Sequence, residues 1–304
     1  MTIYERFPMS AHDGEFIVSV AYPHDFETLK TLQDAFEMNI ISKAILCGDE
    51  AVIRPIIHQH NLQLPNIEVV PCLTMEEAAN MAARLVAEGK AHSPMKGLID
   101  TSAFLKPMLK KEYQLTRGMT IAHVGLSYRE SDDKFYIIAD AGMNIAPTVQ
   151  QKKDIIASSV ELANALGVDN PIDEPLTAKE KAYDKMPATL EAAELHQMNV
   201  RGEIENCRVS GPLQLDLAVS EKSAKMKGCK DPLAGKAQIL LMPDIEAGNI
   251  FAKALTYLGD FIGYGIVLGA KVPMIVVSRA DGEDEKLGSM YLARLIFEKE
   301  KQHV

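Results

Sequence analysis

Short apolar runs alternate with longer amphipathic stretches along almost the whole chain, and this alternation restricts the fold more than any other feature. Phe16–Tyr22 reads as a strand and Asp25–Glu37 as a helix capped by Asp25. Lys43–Cys47 is strand-like, Glu50–His60 helical and Ile67–Cys72 strand-like. Thr74 then opens a helix that stops at Gly89, with Glu77 completing a capping box. Ile121–Tyr128 and Phe135–Ala139 are strand-like runs joined by the polar link Arg129–Lys134, and Pro147–Leu166 is a helix that stops at Gly167. Asp169–Pro187, with Pro171, Pro175 and Pro187, is the most loop-like stretch. Arg208–Ser210 closes a short strand, and Gly211-Pro212 opens a helix with proline at its first position. Ala237–Met242 is a strand, Ala247–Leu258 a helix, and Gly265–Leu268 and Met274–Val277 are strand-like. Asp284–Lys299 is a terminal helix, acidic at its start and basic at its end. A chain written this way is α/β, with a largely parallel sheet and helices on both faces.

Open sheets of this kind place their ligand sites at the C-terminal ends of the strands. Two polar segments fall there: Met242-Pro243-Asp244-Ile245-Glu246-Ala247-Gly248-Asn249 and Val277-Ser278-Arg279-Ala280-Asp281. In the second, a guanidinium that can fork onto two phosphate oxygens stands beside a hydroxyl that can donate to an oxyanion. Asp281, Glu283, Asp284 and Glu285 follow; one of them can serve as a general base, and the others form the acidic first turn of the last helix. Ser210-Gly211-Pro212 is either a phosphate-binding helix start or a plain capping serine. Asp100-Thr101-Ser102, with Lys106 one turn on and Lys96-Gly97 upstream, is either an oxyanion cradle or a solvated amphipathic helix. Asp140, in Asp140-Ala-Gly142-Met-Asn144, is either a ligand contact or a turn-former. Lys222, Lys225 and Lys227 are either phosphate contacts or a solvated basic face. Gly263-Tyr-Gly265-Ile-Val-Leu-Gly269 resembles a dinucleotide loop, but a helix precedes it and a strand follows, the reverse of what that loop needs.

Composition narrows the partners. The formal net charge of −10 argues against nucleic acid, while leaving room for a local anion site. No apolar run approaches a membrane span, and the N-terminus has no basic stretch followed by an apolar one, so the cytoplasm is the expected compartment. Cys47, Cys72, Cys207 and Cys229 are too scattered for a redox or zinc motif, and no HExxH exists, so no metal site is expected.

Seven words, in order, resemble the phosphate acetyltransferase/phosphate butyryltransferase (phosphotransacylase) family. They are Met95-Lys-Gly97, Asp100-Thr-Ser-Ala-Phe-Leu105, Ala139-Asp-Ala-Gly142, Ser210-Gly-Pro-Leu-Gln-Leu-Asp216, Pro243-Asp-Ile-Glu-Ala-Gly-Asn249, Gly265-Ile-Val-Leu-Gly-Ala270 and Ser278-Arg-Ala-Asp281. The short chain and the Lys-Gly and Ser-Arg-Ala-Asp variants are closer to the butyryl branch.

The resemblance implies reversible transfer of a short-chain acyl group, butyryl or branched, between coenzyme A and inorganic phosphate, by direct attack of the thiolate on acyl phosphate. Coenzyme A is then a co-substrate, and no tightly bound cofactor or metal is involved. It further implies a homodimer and an isocitrate/isopropylmalate dehydrogenase-like fold, two α/β domains flanking a cleft. The first would hold residues 1–130 plus 270–304 and the second residues 131–269. Catalysis falls to Ser278, Arg279, Asp281 and Glu285. Binding of phosphate and coenzyme A falls to Lys96, Thr101, Ser102, Lys106, Asp140, Ser210, Gly211, Asp244, Gly248 and Asn249. At position 106 the acetyl branch carries arginine, so lysine keeps the charge there and loses the fork. Competing expectations are a phosphate acetyltransferase, a metal- and NAD(P)-dependent dehydrogenase, and a non-catalytic coenzyme A sensor.

Overall fold

A computed structural model describes residues 1–10, 14–277 and 281–302. The chain divides into two compact units, one of Met1–Phe7 with Met119–Gly263, the other of Pro8–Gly118 with Tyr264–Val304. Helix α1 (Ile3–Arg6), a single turn, belongs to the former.

The unit that begins at Pro8 is a βα series. It runs β1 (Ile17–Ala21), α2 (Phe26–Glu37), β2 (Lys43–Gly48), α3 (Glu50–Gln59), β3 (Ile67–Pro71), α4 (Met75–Ala87), β4 (Ser93–Lys96) and α5 (Thr101–Met108). The pairs of its four-stranded sheet are parallel, in the order β3-β2-β1-β4, with Ile17 opposite Lys43 and Val18 opposite Ser93. The segment 274–277 runs parallel beyond β4, Met95 facing Ile275. Helix α4 forms as its capping box directs: Thr74 accepts the Glu77 N–H, and Glu77 reaches back to the Thr74 N–H. Its buried face, Ala78, Ala79, Ala82, Ala83, Leu85 and Val86, lies against the sheet, where Ser19 Oγ donates to Ala82 O at 3.0 Å. Small residues on that face let helix and strand backbones approach closely.

The second unit holds β5 (Ala122–Arg129), β6 (Lys134–Ala139), α6 (Val149–Ala165), β7 (Ile172–Pro175), α7 (Pro187–Val200), β8 (Arg208–Val209), α8 (Leu215–Val219), α9 (Glu221–Lys227), β9 (Ile239–Leu241) and α10 (Ile245–Gly259). Here β5 and β6 form an antiparallel hairpin, and β6-β9-β7-β8 are parallel neighbours. The chain continues through β10 (Ile262–Leu268) to α11 (Glu283–Gln302). Tyr136, Ile138, Ile172, Leu176, Leu240 and Met242 belong to one apolar cluster on this sheet.

Three details differ from the sequence reading, each for a local reason. Strand β7 lies inside the stretch read as a loop, because Asp173 and Glu174 interrupt its hydropathy although both are buried. Gly211-Pro212 does not start a helix; the chain stays extended to Gln214, and α8 begins at Leu215. Pro147 sits just outside α6, whose cap is Thr148, boxed with Gln151.

Candidate active site

In the four-stranded parallel sheet, the chain leaves β1 toward α2 and enters β4 from α4, and the adjacent loops after β1 and β4 form a switch point of the kind that holds ligands in open sheets. Lys96, the last residue of β4, is 5% exposed, and its Nζ donates to Ile99 O at 3.2 Å and, more weakly, to Gly97 O. Gly97 must be glycine: a Cβ there would lie 2.6 Å from Tyr22 O and 2.7 Å from Ala21 O. Helix α5 then starts with Thr101 and Ser102 exposed, over a buried face of Phe104, Leu105 and Met108. Lys106 is exposed on the same helix. Sheet order therefore brings Lys96 and the hydroxyl-bearing start of α5 to one edge, to which the segment 274–277 also runs.

Ser278 and Arg279 lie outside the described residues. Past them, Asp281 is half-buried, and the Glu285 carboxylate accepts the Gly282 N–H, closing the first turn of α11. Lys286, 8% exposed in that turn, carries no sequence signal of its burial because it reads as one more charge in an acidic run.

The other unit collects Asp140, Ser210, Gly211, Asp244, Gly248 and Asn249 along the C-terminal edge of its parallel strands. The Asp140 carboxylate is 3% exposed and fully engaged. Oδ1 accepts the N–H of Gly142 (2.7 Å) and Met143 (3.0 Å); Oδ2 accepts the N–H of Asn144 (3.1 Å) and Asn144 Nδ2 (2.6 Å). In this geometry the Asp140 carboxylate shapes the turn that follows β6. Asp244 caps α10 through the Ala247 N–H at 2.9 Å. Gly248 lets that helix approach the Asp140 loop, since a Cβ would lie 2.6 Å from Asp140 O. Asn249 Nδ2 donates to Ala141 O at 3.3 Å.

Ser210 is fully buried, and its hydroxyl bonds the Glu174 carboxyl. Its neighbour Gly211 donates its N–H to Asp231 at 3.4 Å. Burial pushes the Glu174 carboxyl well above the usual carboxylate range, the Ser210 bond offsetting this in part. Burial does the same to Asp173, whose two oxygens have no hydrogen-bond partner among the described residues. Lys222, Lys225 and Lys227 form a solvated face, with Lys227 paired to Asp216 at 2.9 Å. The Gly263–Gly269 segment, which lacks the strand-then-helix context of a dinucleotide loop, lies mostly within β10. Among the described residues, no group of three or more His, Cys, Asp or Glu could hold a metal ion, and no helix is long and apolar enough to cross a membrane.

A family model described as "Phosphate acetyl/butaryl transferase" matches residues 71–293. The chain is 41% identical over 279 residues to a phosphate butyryltransferase of Clostridium acetobutylicum, covering 92% of each. It is 39% identical over 276 residues to a phosphate acetyltransferase of Thermotoga maritima, covering 91% of this chain and 93% of that one. Among solved structures, a branched-chain phosphotransacylase from Enterococcus faecalis V583 matches with a TM-score of 0.81 at 32% identity, covering 92% of this chain and 99% of the other. A phosphotransacetylase from Streptococcus pyogenes shares the fold, with a TM-score of 0.78 at 19% identity and 96% of each chain covered.

These structures correct one expectation. The fold is that of the phosphotransacylases, not the isocitrate/isopropylmalate dehydrogenase-like scaffold. Strand–helix alternation narrows a chain to the α/β class, and many scaffolds share it. Strand order and direction choose among them, here the antiparallel β5–β6 pair and the interleaved order β6-β9-β7-β8, and alternation specifies neither.

Proposed function

The chain belongs to the phosphate acetyl/butyryl transferase family, and from that premise we propose a short-chain phosphotransacylase whose preferred acyl group is butyryl or branched. The family reaction is reversible exchange of an acyl group between coenzyme A and inorganic phosphate, with coenzyme A as co-substrate. The preference draws on the butyryltransferase and branched-chain relatives and on the Lys96-Gly97 and Ser278-Arg279-Ala280-Asp281 words.

The chemistry makes three demands. Coenzyme A must lose its thiol proton, because the thiolate is the nucleophile. The carbonyl oxygen must be stabilised as charge develops on it. Phosphate must be held in line with the acyl carbon. Arg279 forks onto phosphate and Ser278 donates to the developing oxyanion, with Lys96, Thr101, Ser102 and Lys106 supplying further charge and donors. Glu285 or Asp281 takes the thiol proton. In the other unit, the Asp140 and Ser210 side chains are taken up in holding loop shape, Asp244 caps α10 through one carboxylate oxygen, and Gly248 permits the close approach of that helix. Exposed Asn249 keeps amide capacity beyond its Ala141 bond for coenzyme A, and Gly211, where a Cβ would meet nothing within 4 Å, leaves room for it.

One observation carries this assignment: Lys96 and the exposed hydroxyls of α5 share one edge of a parallel sheet, and the segment 274–277, which runs beside β4, immediately precedes Ser278 in sequence. We read the protein further as a cytoplasmic homodimer. The four cysteines are free thiols, as a reducing compartment keeps them. Helix α10 exposes Ile250, Tyr257 and Leu258, apolar surface that a second copy would cover.

The test is release of coenzyme A thiol from acetyl-, butyryl-, isobutyryl- and isovaleryl-CoA, with and without phosphate. Release fastest with the four- and five-carbon chains supports the assignment. Release fastest with acetyl-CoA overturns the preference, and phosphate-independent silence with tight coenzyme A binding favours a sensor.

A further inference from the structure

The loop after β1 carries an imidazole at the same sheet edge as Lys96. His24 Nε2 accepts the backbone N–H of Asp49 at 2.9 Å. A backbone N–H can only donate, so Nε2 holds its lone pair and the ring proton resides on Nδ1. Burial lowers the affinity of the ring for a second proton, an effect that Asp49 and Asp25 partly offset. The Tyr22 ring lies against it with centroids 3.7 Å apart. On the side of β2, Gly48 leaves just enough room: a Cβ would stand 2.7 Å from Nε2 and 3.1 Å from Cδ2. The Nε2–Cδ2 edge therefore faces β2, and Nδ1 faces away from it, with no protein partner among the described residues.

The carboxylates flanking the ring are committed elsewhere. Asp25 accepts the Thr28 N–H at 2.7 Å and Thr28 Oγ1 at 2.8 Å, and Asp49 accepts the Ala51 N–H at 2.8 Å. The loops after β1 and β4 meet at one carbonyl: Tyr22 O accepts the N–H of both His24 and Leu98, each at 2.9 Å. His24 thus stands at the switch point, its backbone anchored two residues from Lys96. Tyr22 adopts the left-handed region at φ 57°, unusual for a residue with a side chain and a feature that concentrates at functional sites.

We propose that His24 is a further substrate-contacting residue of the acyl exchange, its Nδ1–H donating to an oxygen of bound phosphate or of the acyl carbonyl. The proposal rests on the acyl-exchange reading. A fixed donor that keeps its proton stabilises developing negative charge without reorganising at the moment of reaction.

Two substitutions separate this role from support of the loop. In His24→Gln, the amide oxygen reaches the place of Nε2 and keeps the Asp49 contact, but no donor remains at Nδ1. In His24→Asn, the amide nitrogen stands where Nδ1 was, and the Asp49 contact is lost. The expected result is His24→Gln folded with near wild-type thermal stability and kcat/KM for butyryl-CoA lowered at least tenfold. His24→Asn should be less stable yet closer to wild type in activity per folded molecule. A rise in the phosphate KM alone assigns the contact to phosphate; equal falls in kcat and kcat/KM assign it to the carbonyl. His24→Gln with wild-type kcat/KM overturns the proposal. Should His24→Gln not fold, His24→Asn decides, a tenfold loss per folded molecule overturning it. A wild-type protein without phosphate-dependent release would instead sink the acyl-exchange reading.

Discussion

Gly97 is where packing and chemistry meet most tightly. Its N–H donates to Ala21 O at 3.0 Å, and the next residue's N–H donates to Tyr22 O at 2.9 Å. In Gly97→Ala the new methyl would lie 2.6 Å from Tyr22 O, 2.7 Å from Ala21 O and 2.9 Å from Tyr22 C, whereas ordinary contact begins near 3.4 Å. All three atoms are backbone, so no side chain can rotate away. The loops after β1 and β4 must separate by several tenths of an ångström, stretching both hydrogen bonds. Overpacking of this kind costs about 1–3 kcal/mol, and each weakened backbone bond adds roughly 0.5–1 kcal/mol. The expected loss is about 3 kcal/mol, read by urea denaturation at constant m. Because the shift moves Lys96 and the Leu98–Tyr22–His24 junction, the phosphate KM should rise even in molecules that remain folded. A Gly97→Ala protein within about 0.5 kcal/mol of wild type, with unchanged KM, would refute the close approach and its link to the site.

Three further outcomes follow from the same geometry. Arg279→Ala should lower turnover by about a hundredfold or more, as loss of a phosphate fork or oxyanion partner does, with the circular dichroism spectrum unchanged. Asp140→Ala strands four donors that its carboxylate serves, and the protein should lose about 3 kcal/mol or more, since bonds to a charged acceptor are worth roughly 1.5–3 kcal/mol each and do not sum. For Asp173 the folded carboxyl titrates well above the unfolded one. Stability is therefore fully present below the unfolded value and is lost as pH rises toward the folded one, by up to about 1.4 kcal/mol per pH unit. Asp173→Asn should consequently gain melting temperature over wild type at pH 8 relative to pH 5, and a difference that stays flat or reverses would show that the acid is not buried as described.

Much of the architecture was readable because its signals are local. The Thr74–Glu77 capping box needs only residues three apart, and α4 starts where it says. What escaped depends on partners far along the chain. Asp173 and Glu174 hid β7 because burial of acids in a strand leaves no hydropathy trace, and the hydroxyl that bonds Glu174 is 36 residues away. That the Asp140 carboxylate shapes its turn depends on which atoms reach its oxygens, a question of conformation rather than composition. The proton position on His24 is set by the amide of Asp49, 25 residues on, so no local pattern could single that histidine out. Strand order is likewise a property of long-range pairing.

The most direct measurement of the central claim is product stoichiometry. Butyryl-CoA and inorganic phosphate would be mixed with the protein in chelator, free thiol measured by disulfide exchange, and acyl phosphate trapped with hydroxylamine. The account predicts one acyl phosphate formed for each thiol released, with both absent when phosphate is omitted. Thiol released without phosphate, or without acyl phosphate beside it, would make the protein a thioester hydrolase and contradict the account.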